Sequence, residues 1–266
     1  MKVYLPQPKL VTNSWWYVGN RNRQATATAV RFVGDDLLVA HYLGRKLYLL
    51  DQRENVLLEL NTRFETDLLD IKGSLVACTN LFEKKISLFH LNDTLSFYKY
   101  LNVPYGHLHG VFIDGDSVIC TTDNSLVRVD FNSKCTVIKT FEDQPKDVFV
   151  YGPYIVVVST KGLVKAKSVN MPTKATTLHL IKDNQVIDSI SFTGRADALA
   201  FKQETPYTIY VTLQDIDSVA EIILEDEKLS FKRYIQEFNF PHGVDYSNGK
   251  LAVSNYGDNS ISILNV

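Results

Sequence analysis

The residues best suited to chemistry are two histidines that stand in the same short pattern, half the chain apart. His109 and His242 each precede Gly-Val, and 133 of the 266 residues separate them. Imidazole titrates near neutral pH, forms hydrogen bonds through both ring nitrogens and is a common metal ligand. Two such residues could bind a metal ion, move a proton or hold a polar ligand, provided that the fold brings them together.

Six short apolar segments recur along the chain and indicate that it is built from repeats. Each is too short for a helix and is bounded by turn residues, which is typical of a buried strand. They begin at intervals of 37 to 54 residues and are Leu38–Ala40, Leu75–Ala77, Val118–Cys120, Ile155–Val157, Ile209–Val211 and Leu251–Val253. Repetition at such intervals is typical of β-propellers and other repeat folds.

Turn residues divide each repeat into four strands, which is the composition of one propeller blade. The sequence therefore predicts an all-β fold, a six-bladed β-propeller of four-stranded antiparallel blades, in one domain of residues 1–266. The blades are expected at about 25–61, 66–101, 107–141, 145–192, 195–235 and 240–266. Five or seven blades stay open, because one repeat could be spurious or an insertion around residues 168–174 could hide a unit.

The last repeat stops after three strands, whereas residues 2–5 form a strand-like piece before the first blade. We expect this amino-terminal strand to complete the last blade. Such pairing would close the ring and remove the free edges that an open sheet leaves.

In propellers of this kind the first strand of each blade lines the central channel. Counting back from the turn glycines, or along the apolar pattern in the fifth blade, gives one residue per blade: Thr28, Asp67, His109, Lys146, Asp197 and His242. His109 and His242 come from blades three apart, so we expect them to face each other across the channel. His107 and Arg195 precede first strands and are expected at the channel rim.

The segments Pro241–Asp245, Gly249–Asn255 and Asp258–Ile261 resemble the YVTN, NHL and gluconolactonase-like group of β-propellers. The resemblance covers nearly the whole chain as architecture and implies the propeller fold. It does not specify an activity, because this group includes scaffolds, lyases and lactonases, and fold alone does not fix function.

Resemblance to the lyase branch of NHL propellers, in which histidines from several blades hold a metal, implies one candidate function. His109 and His242 would be ligands for zinc or calcium. A carboxylate from Asp67 or Asp197 would complete the set, and the metal would activate water or polarise a carbonyl in a lyase or hydrolase. Lys146 argues against this site, because its ammonium group would repel a nearby cation.

The interpretation that we favour needs no cofactor. The six counted residues, together with His107 and Arg195, would form a wet funnel of mixed charge. It would bind a small polar ligand or a protein partner without catalysis. A third possibility is an interaction platform formed by Trp15–Tyr17 or by the lysine-rich stretch 161–174. Whether the protein is an enzyme stays open at this point.

Composition argues against several other classes of function. Lys and Arg number 28 against 30 Asp and Glu, a net charge of −2, so no basic field favours nucleic acid or an anionic membrane. No apolar run reaches the roughly 18 residues of a membrane span, and no signal peptide is visible. The three cysteines form no C-x-x-C pair. We therefore expect a cytoplasmic monomer with unpaired thiols.

Overall fold

The chain folds into six four-stranded antiparallel sheets arranged as the blades of a propeller, as the sequence predicts. The structure, a computed structural model, describes residues 1–5, 27–161 and 175–266. The lysine-rich insertion and Trp15–Tyr17 lie outside the described residues, apart from Lys161. Within each blade the strands pair in chain order, except that the last blade takes its outer strand from the amino terminus.

The blades have the following strands. The first contains β2 (Ala27–Val33), β3 (Asp36–His41), β4 (Lys46–Leu50) and β5 (Val56–Asn61), and the second contains β6 (Leu69–Lys72), β7 (Leu75–Asn80), β8 (Lys85–Leu91) and β9 (Leu95–Asn102). The third contains β10 (Val111–Asp114), β11 (Ser117–Thr121), β12 (Ser125–Asp130) and β13 (Cys135–Thr140), and the fourth contains β14 (Gln144–Tyr151), β15 (Tyr154–Thr160), β16 (Ala175–Lys182) and β17 (Gln185–Thr193). The fifth contains β18 (Ala196–Lys202), β19 (Tyr207–Leu213), β20 (Ser218–Glu225) and β21 (Lys228–Ile235), and the sixth contains β22 (Pro241–Ser247), β23 (Lys250–Asn255), β24 (Ser260–Asn265) and β1 (Lys2–Tyr4).

Strand β1 closes the ring against β24, which confirms the predicted closure. Val3 lies opposite Ile261 in the antiparallel register, and its side chain is buried. The amide of Ile263 donates to the carbonyl of Met1 at 2.8 Å. The first and last residues of the chain therefore share one sheet, which makes the ring continuous.

The second strands are the most buried parts of the blades, which explains their continuous apolar composition. A strand covered on both faces has no solvent side and needs no polar alternation. Apolar clusters fill all six interfaces between neighbouring blades. The blades are therefore held by side-chain packing over their faces, and the first strands meet around the central axis.

Helical structure is almost absent from the described residues, as expected. It consists there of the single 3₁₀ turn Gln214–Ile216, between β19 and β20. Among those same residues, no helix has the length and apolar character required to cross a membrane.

Candidate functional site

The six counted residues lie where the first strands depart from regular pairing. The register between first and second strands shifts in four blades at the positions of Thr28, Lys146, Asp197 and His242. A shift of this kind leaves a residue unpaired and re-aims its side chain. In the other two blades, Asp67 and His109 lie two residues before β6 and β10. The counted residues thus stand at irregular positions of the first strands, although the amides of Asp67 and His109 still donate to the carbonyls of Thr79 and Thr121 at 3.0 and 3.1 Å.

Hydroxyl groups at the ends of second strands hold these strand starts in place. Thr121 accepts a hydrogen bond from the amide of Gly110 at 2.8 Å and donates to the carbonyl of Lys146 in the next blade at 3.0 Å. Thr79, Thr212 and Ser254 make the same pair of bonds, and their acceptors in the next blade are the carbonyls of His109, His242 and Thr28. Each hydroxyl therefore fixes a counted residue of the neighbouring blade.

Close contact between blades also requires the glycines that follow the two histidines. A Cβ atom at Gly110 would lie 2.5 Å from the Cα of Asp147, and one at Gly243 would lie 2.6 Å from the carbonyl oxygen of Thr28. Both distances are far below a van der Waals contact. The repeated His-Gly pair thus reflects tight packing of neighbouring first strands at two interfaces.

Five side chains converge on the axis and form what we call the axial cluster: Asp67, His109, Lys146, Asp197 and His242. His109 Nδ1 lies 3.1 Å from Asp67 Oδ2. His242 Nε2 lies 3.5 Å from Asp67 Oδ1 and 3.5 Å from Asp197 Oδ2. Lys146 Nζ lies 3.8 Å from the other oxygen of Asp197. The two histidines thus share the carboxylate of Asp67. The five residues of the axial cluster are only 1% to 9% exposed.

The charges of the axial cluster balance. Burial opposes ionisation of Asp67, but hydrogen bonds from His109 and His242 prevail and hold its pKa well below the ordinary value. Burial, followed by the charge of Lys146, lowers the pKa of His109, which favours the neutral ring. Burial also acts against charge on His242, yet the carboxylates of Asp197 and Asp67 raise its pKa overall. When His242 is protonated, it and Lys146 are two cations that face two carboxylates, those of Asp67 and Asp197.

Two polar atoms of the axial cluster have no hydrogen-bond partner among the described residues. They are His242 Nδ1 and Asp197 Oδ2, both fully buried; the 3.5 Å contact of Asp197 Oδ2 with His242 Nε2 is an ion pair and not a hydrogen bond. Arg195 Nε is a third such atom, and the charge of Arg195 acts against protonation of His242. Buried polar atoms in native proteins are nearly always paired with protein or water. These atoms mark the side of the cluster at which a further group could bind.

The remaining predicted residues lie around the axial cluster. The Thr28 hydroxyl donates to the carbonyl of Thr66 at 2.9 Å, so it takes part in blade packing. His107 is on the rim and half exposed, and its Nδ1 lies 3.0 Å from Asp123 Oδ1. The amide of Arg195 donates to Asp215 Oδ1 at 2.6 Å, which anchors the connection before the fifth blade. A role of any of these residues in ligand binding stays a prediction.

Comparison with solved structures returns proteins with the same ring of blades. Virginiamycin B lyase from Staphylococcus aureus has 12% sequence identity and a TM-score of 0.62, over 92% of this chain and 96% of that one. A streptogramin B lyase has 10% identity and a TM-score of 0.61, over 94% and 96%. A protein of unknown function from Bacteroides thetaiotaomicron has 11% identity and a TM-score of 0.67, over 90% and 69%.

The likeness is one of fold. At 10% to 12% identity the shared architecture carries no information on the reaction or ligand. Profiles of protein families and curated protein sequences give no match. The propeller expected from the sequence resemblance is therefore supported, and its function must be argued from the side chains.

The axial cluster does not fit the metal site that the lyase resemblance implies. Both ring nitrogens of His109 are engaged, Nδ1 by Asp67 and Nε2 by Gln144 at 2.9 Å. A divalent cation would also lie beside the ammonium group of Lys146. In the described parts of the chain, no three His, Cys, Asp or Glu side chains are grouped as metal ligands. Binding of zinc or calcium stays a prediction that requires this cluster to rearrange.

Gln144 belongs to the site but was not predicted from the sequence. It is buried, and its Nε2 contacts His109 Nε2. It occupies the first position of β14, two residues before Lys146, so the count from the turn glycine passes over it. A polar residue directly before the Pro145–Lys146 pair is the only signal that could have indicated it.

A second group of charges, also not predicted, lies farther along the first strands. We call it the carboxylate layer, and it comprises Arg31, Asp70, Asp147 and Asp245. Asp70, Asp147 and Asp245 each accept an amide hydrogen bond from the first strand of the next blade, at 2.7 to 2.9 Å. Arg31 lies 3.7 Å from Asp70 and donates to the carbonyl of Val244 at 2.8 Å. In the sequence, two members of this layer recur at the same spacing: Asp70 lies three residues after Asp67, and Asp245 lies three residues after His242.

Proposed function

We propose that the protein is a binding protein that holds a small polar ligand at the axial cluster. The observation that carries the proposal is the pair of buried atoms His242 Nδ1 and Asp197 Oδ2, neither of which has a hydrogen bond among the described residues. A protonated His242 offers an N–H donor, and Asp197 offers an acceptor beside it. An amide or a zwitterion supplies the complementary acceptor and donor in one small molecule.

The balance of charge within the axial cluster favours a ligand with no net charge. A net anion would face the carboxylates of Asp67 and Asp197, whereas a net cation would face Lys146 and His242. Burial magnifies either penalty, because an uncompensated charge is costly away from water. Arg195, at the rim with Nε unpartnered, is placed to contact an acceptor group of the same ligand.

The test is a binding screen with defined compounds: acetamide, N-methylacetamide, glycine, alanine, lactate and methylammonium. Binding is measured by calorimetry and by ¹⁵N shifts of the histidine rings. We expect a neutral amide or a zwitterion to bind saturably and to move the His242 resonances. Asp197→Asn and His242→Gln should weaken that compound about tenfold or more, since each removes a hydrogen bond to a charged group.

The matched control is His90→Gln, which changes a histidine of β8 away from the axis and should leave binding unchanged. Binding that survives in both Asp197→Asn and His242→Gln would refute the proposal. So would a screen in which the net ions bind and the neutral and zwitterionic compounds do not. Binding of a protein partner at this face stays a prediction.

Lyase activity is the second candidate, favoured by the pairing of His109 with Asp67. A carboxylate that engages Nδ1 orients an imidazole as a general base, and the lowered pKa of His109 favours its neutral ring. Gln144 Nε2 would have to leave His109 Nε2 before that nitrogen could accept a proton. Two structural neighbours of this fold are a virginiamycin B lyase and a streptogramin B lyase. Incubation with a streptogramin B antibiotic, followed by mass spectrometry, tests this candidate. Conversion that is lost in His109→Gln would establish it, and no conversion of that substrate would remove the support that these neighbours give.

A further inference from the structure

A cleft of about 470 Å³ opens beside the axial cluster, between the third and fourth blades. Its walls come from three connections on one face of the propeller: the segment before β10, the turn between β11 and β12, and the segment between β13 and β14. The lining residues are Tyr105, Gly106, Asp123, Asn124, Phe141, Glu142 and Gln144. This volume is within the range of small-molecule sites.

The carboxylate of Asp123 is fixed in the cleft by the loop opposite it. Its Oδ2 accepts a hydrogen bond from the amide of His107 at 3.2 Å, and its Oδ1 lies 3.0 Å from His107 Nδ1. Gly106 makes this approach possible, because a Cβ atom there would lie 2.6 Å from Asp123 Cγ. The carboxylate therefore has a defined position, unlike that of a freely moving surface aspartate.

Gln144 forms the inner end of the cleft and provides an independent indication of a ligand. Its side chain is 8% exposed and its Nε2 contacts His109 Nε2 at 2.9 Å. Its Oε1 is fully buried and has no hydrogen-bond partner among the described residues. A buried carbonyl oxygen without a donor calls for one, and Gln144 is a lining residue of the cleft.

The lining has the chemistry of an ammonium site. Asp123 and Glu142 carry two formal negative charges, Gln144 adds a neutral acceptor, and none of the lining residues is a lysine or an arginine. Tyr105 and Phe141 add aromatic rings, whose faces attract cations. A primary ammonium group has three N–H donors for the two carboxylates and the Gln144 carbonyl.

We propose that this cleft binds the primary ammonium group of an amine, from a free small molecule or from a lysine side chain. The cleft lies outside the five side chains of the axial cluster, and the proposal does not depend on ligand binding there. Gln144 nevertheless joins the two. When its carbonyl accepts a hydrogen bond from the ammonium group, its amide becomes a stronger donor to His109 because linked hydrogen bonds polarise one another.

The experiment titrates the full chain with n-butylammonium chloride, while ¹H–¹⁵N spectra follow the ring nitrogens of His109 and His107. Nα-acetyl-lysine-N-methylamide tests a lysine side chain as the source of the ammonium group. We expect saturable shifts of His109 Nε2 with at least one of these two amines. If only the lysine derivative binds, the source is a peptide; if only butylammonium binds, it is a free amine.

Three variants locate the binding. Glu142→Gln changes an exposed residue, should fold normally and is expected to weaken binding about threefold, while Asp123→Asn should weaken it about tenfold. Gln144→Met keeps the volume and should abolish the shift of His109 Nε2. The control Glu83→Gln removes an exposed carboxylate from a turn of the second blade and should change nothing.

Several results would overturn the proposal. One is the absence of saturable binding of both amines, and another is equal binding of tetramethylammonium, which has no N–H donor. A third is undiminished affinity in Glu142→Gln together with Asp123→Asn; if Asp123→Asn does not fold, Glu142→Gln decides alone. His242→Gln separates the two sites, since it should weaken ligand binding at the axial cluster about tenfold or more and leave the affinity for amines unchanged.

Discussion

Replacement of Asp147 by asparagine should flatten the pH dependence of stability. Asp147 is completely buried in the carboxylate layer, where three carboxylates share the single guanidinium of Arg31. Burial raises the pKa of Asp147 to about 7, against the lowering effect of Arg31 and of the amides of Leu199 and Val148. Burial likewise raises the pKa of Asp245 to about 6, and raises that of Asp70.

The direction of the effect follows from the raised pKa in the folded state. The folded protein holds this proton more tightly than the unfolded chain does. Stability from Asp147 is therefore fully present below pH 3.8, the ordinary pKa, and is lost as the pH rises through about 7. The full loss is about 4 kcal/mol at 1.36 kcal/mol per pKa unit. About 2.5 kcal/mol of it falls between pH 5 and pH 8.

The assay is urea unfolding at pH 5 and at pH 8, which gives the free energy of unfolding of wild type and Asp147→Asn. Asp147 accepts from the amide of Leu199 through Oδ2 and from the amide of Val148 through Oδ1. Asparagine has a single side-chain oxygen, so the variant loses one of these hydrogen bonds at both pH values. The difference between the two pH values removes that constant term. It should be smaller in Asp147→Asn by about 2.5 kcal/mol.

Asp116→Asn is the matched control, because it removes the same charge from an exposed turn of the third blade. Its pH dependence should follow that of wild type. If Asp147→Asn also follows wild type, the carboxylate is ionised throughout, and attraction by Arg31 outweighs burial. That result would refute the account of the carboxylate layer given above.

Three further predictions concern the blades and the axial cluster. Gly110→Ala should lower the free energy of unfolding by about 3 kcal/mol in urea, since the new Cβ would meet the backbone of Asp147. The control Gly115→Ala, at a φ of +60° in open space, should lower it by about 1 kcal/mol. Val3→Ala should lower the free energy of unfolding by about 2 kcal/mol, because Val3 is buried in the closing strand. Tyr4→Ala, on the exposed side of that strand, should lower it by under about 0.5 kcal/mol. Equal losses in the two variants would contradict ring closure by β1. Asp197→Asn should lower the pKa of His242 in an NMR titration, because Asp197 is the strongest attraction on that ring, and an unchanged value would contradict the contact.

The fold was predictable because each blade repeats the same pattern of turns and strands. A glycine turn and a buried second strand recur in almost constant register, so counting from Gly115 reaches His109 as reliably as counting from Gly73 reaches Asp67. The hydroxyls of Thr79, Thr121, Thr212 and Ser254 stabilise the irregular strand starts. A serine or threonine at the end of a second strand was therefore a readable signal of blade contacts.

The internal pairing of the axial cluster could not be predicted in the same way. Counting places His109 and His242 in blades three apart, but it does not fix how far their side chains reach across the axis. That reach depends on the radius of the ring and on rotamers selected by packing. Both rings consequently share Asp67, which the sequence indicated only as a further residue of the same ring. Gln144 was missed because it lies outside the repeated position.

The two groups of charges on the axis show why one can serve a ligand and the other serves the fold. In the axial cluster, Asp67 receives hydrogen bonds from two histidines and its pKa falls, although it is as buried as its counterparts. In the carboxylate layer, Asp147 has only a share of Arg31 and its pKa rises. Hydrogen bonds and attraction from two histidines thus outweigh burial at Asp67, whereas a shared guanidinium and two amides do not outweigh it at Asp147. All three aspartates of the carboxylate layer accept hydrogen bonds from amides of the next blade, whereas Oδ2 of Asp197 has no hydrogen bond among the described residues. This difference is why the proposed ligand site is assigned to Asp197 and His242 and not to the carboxylate layer.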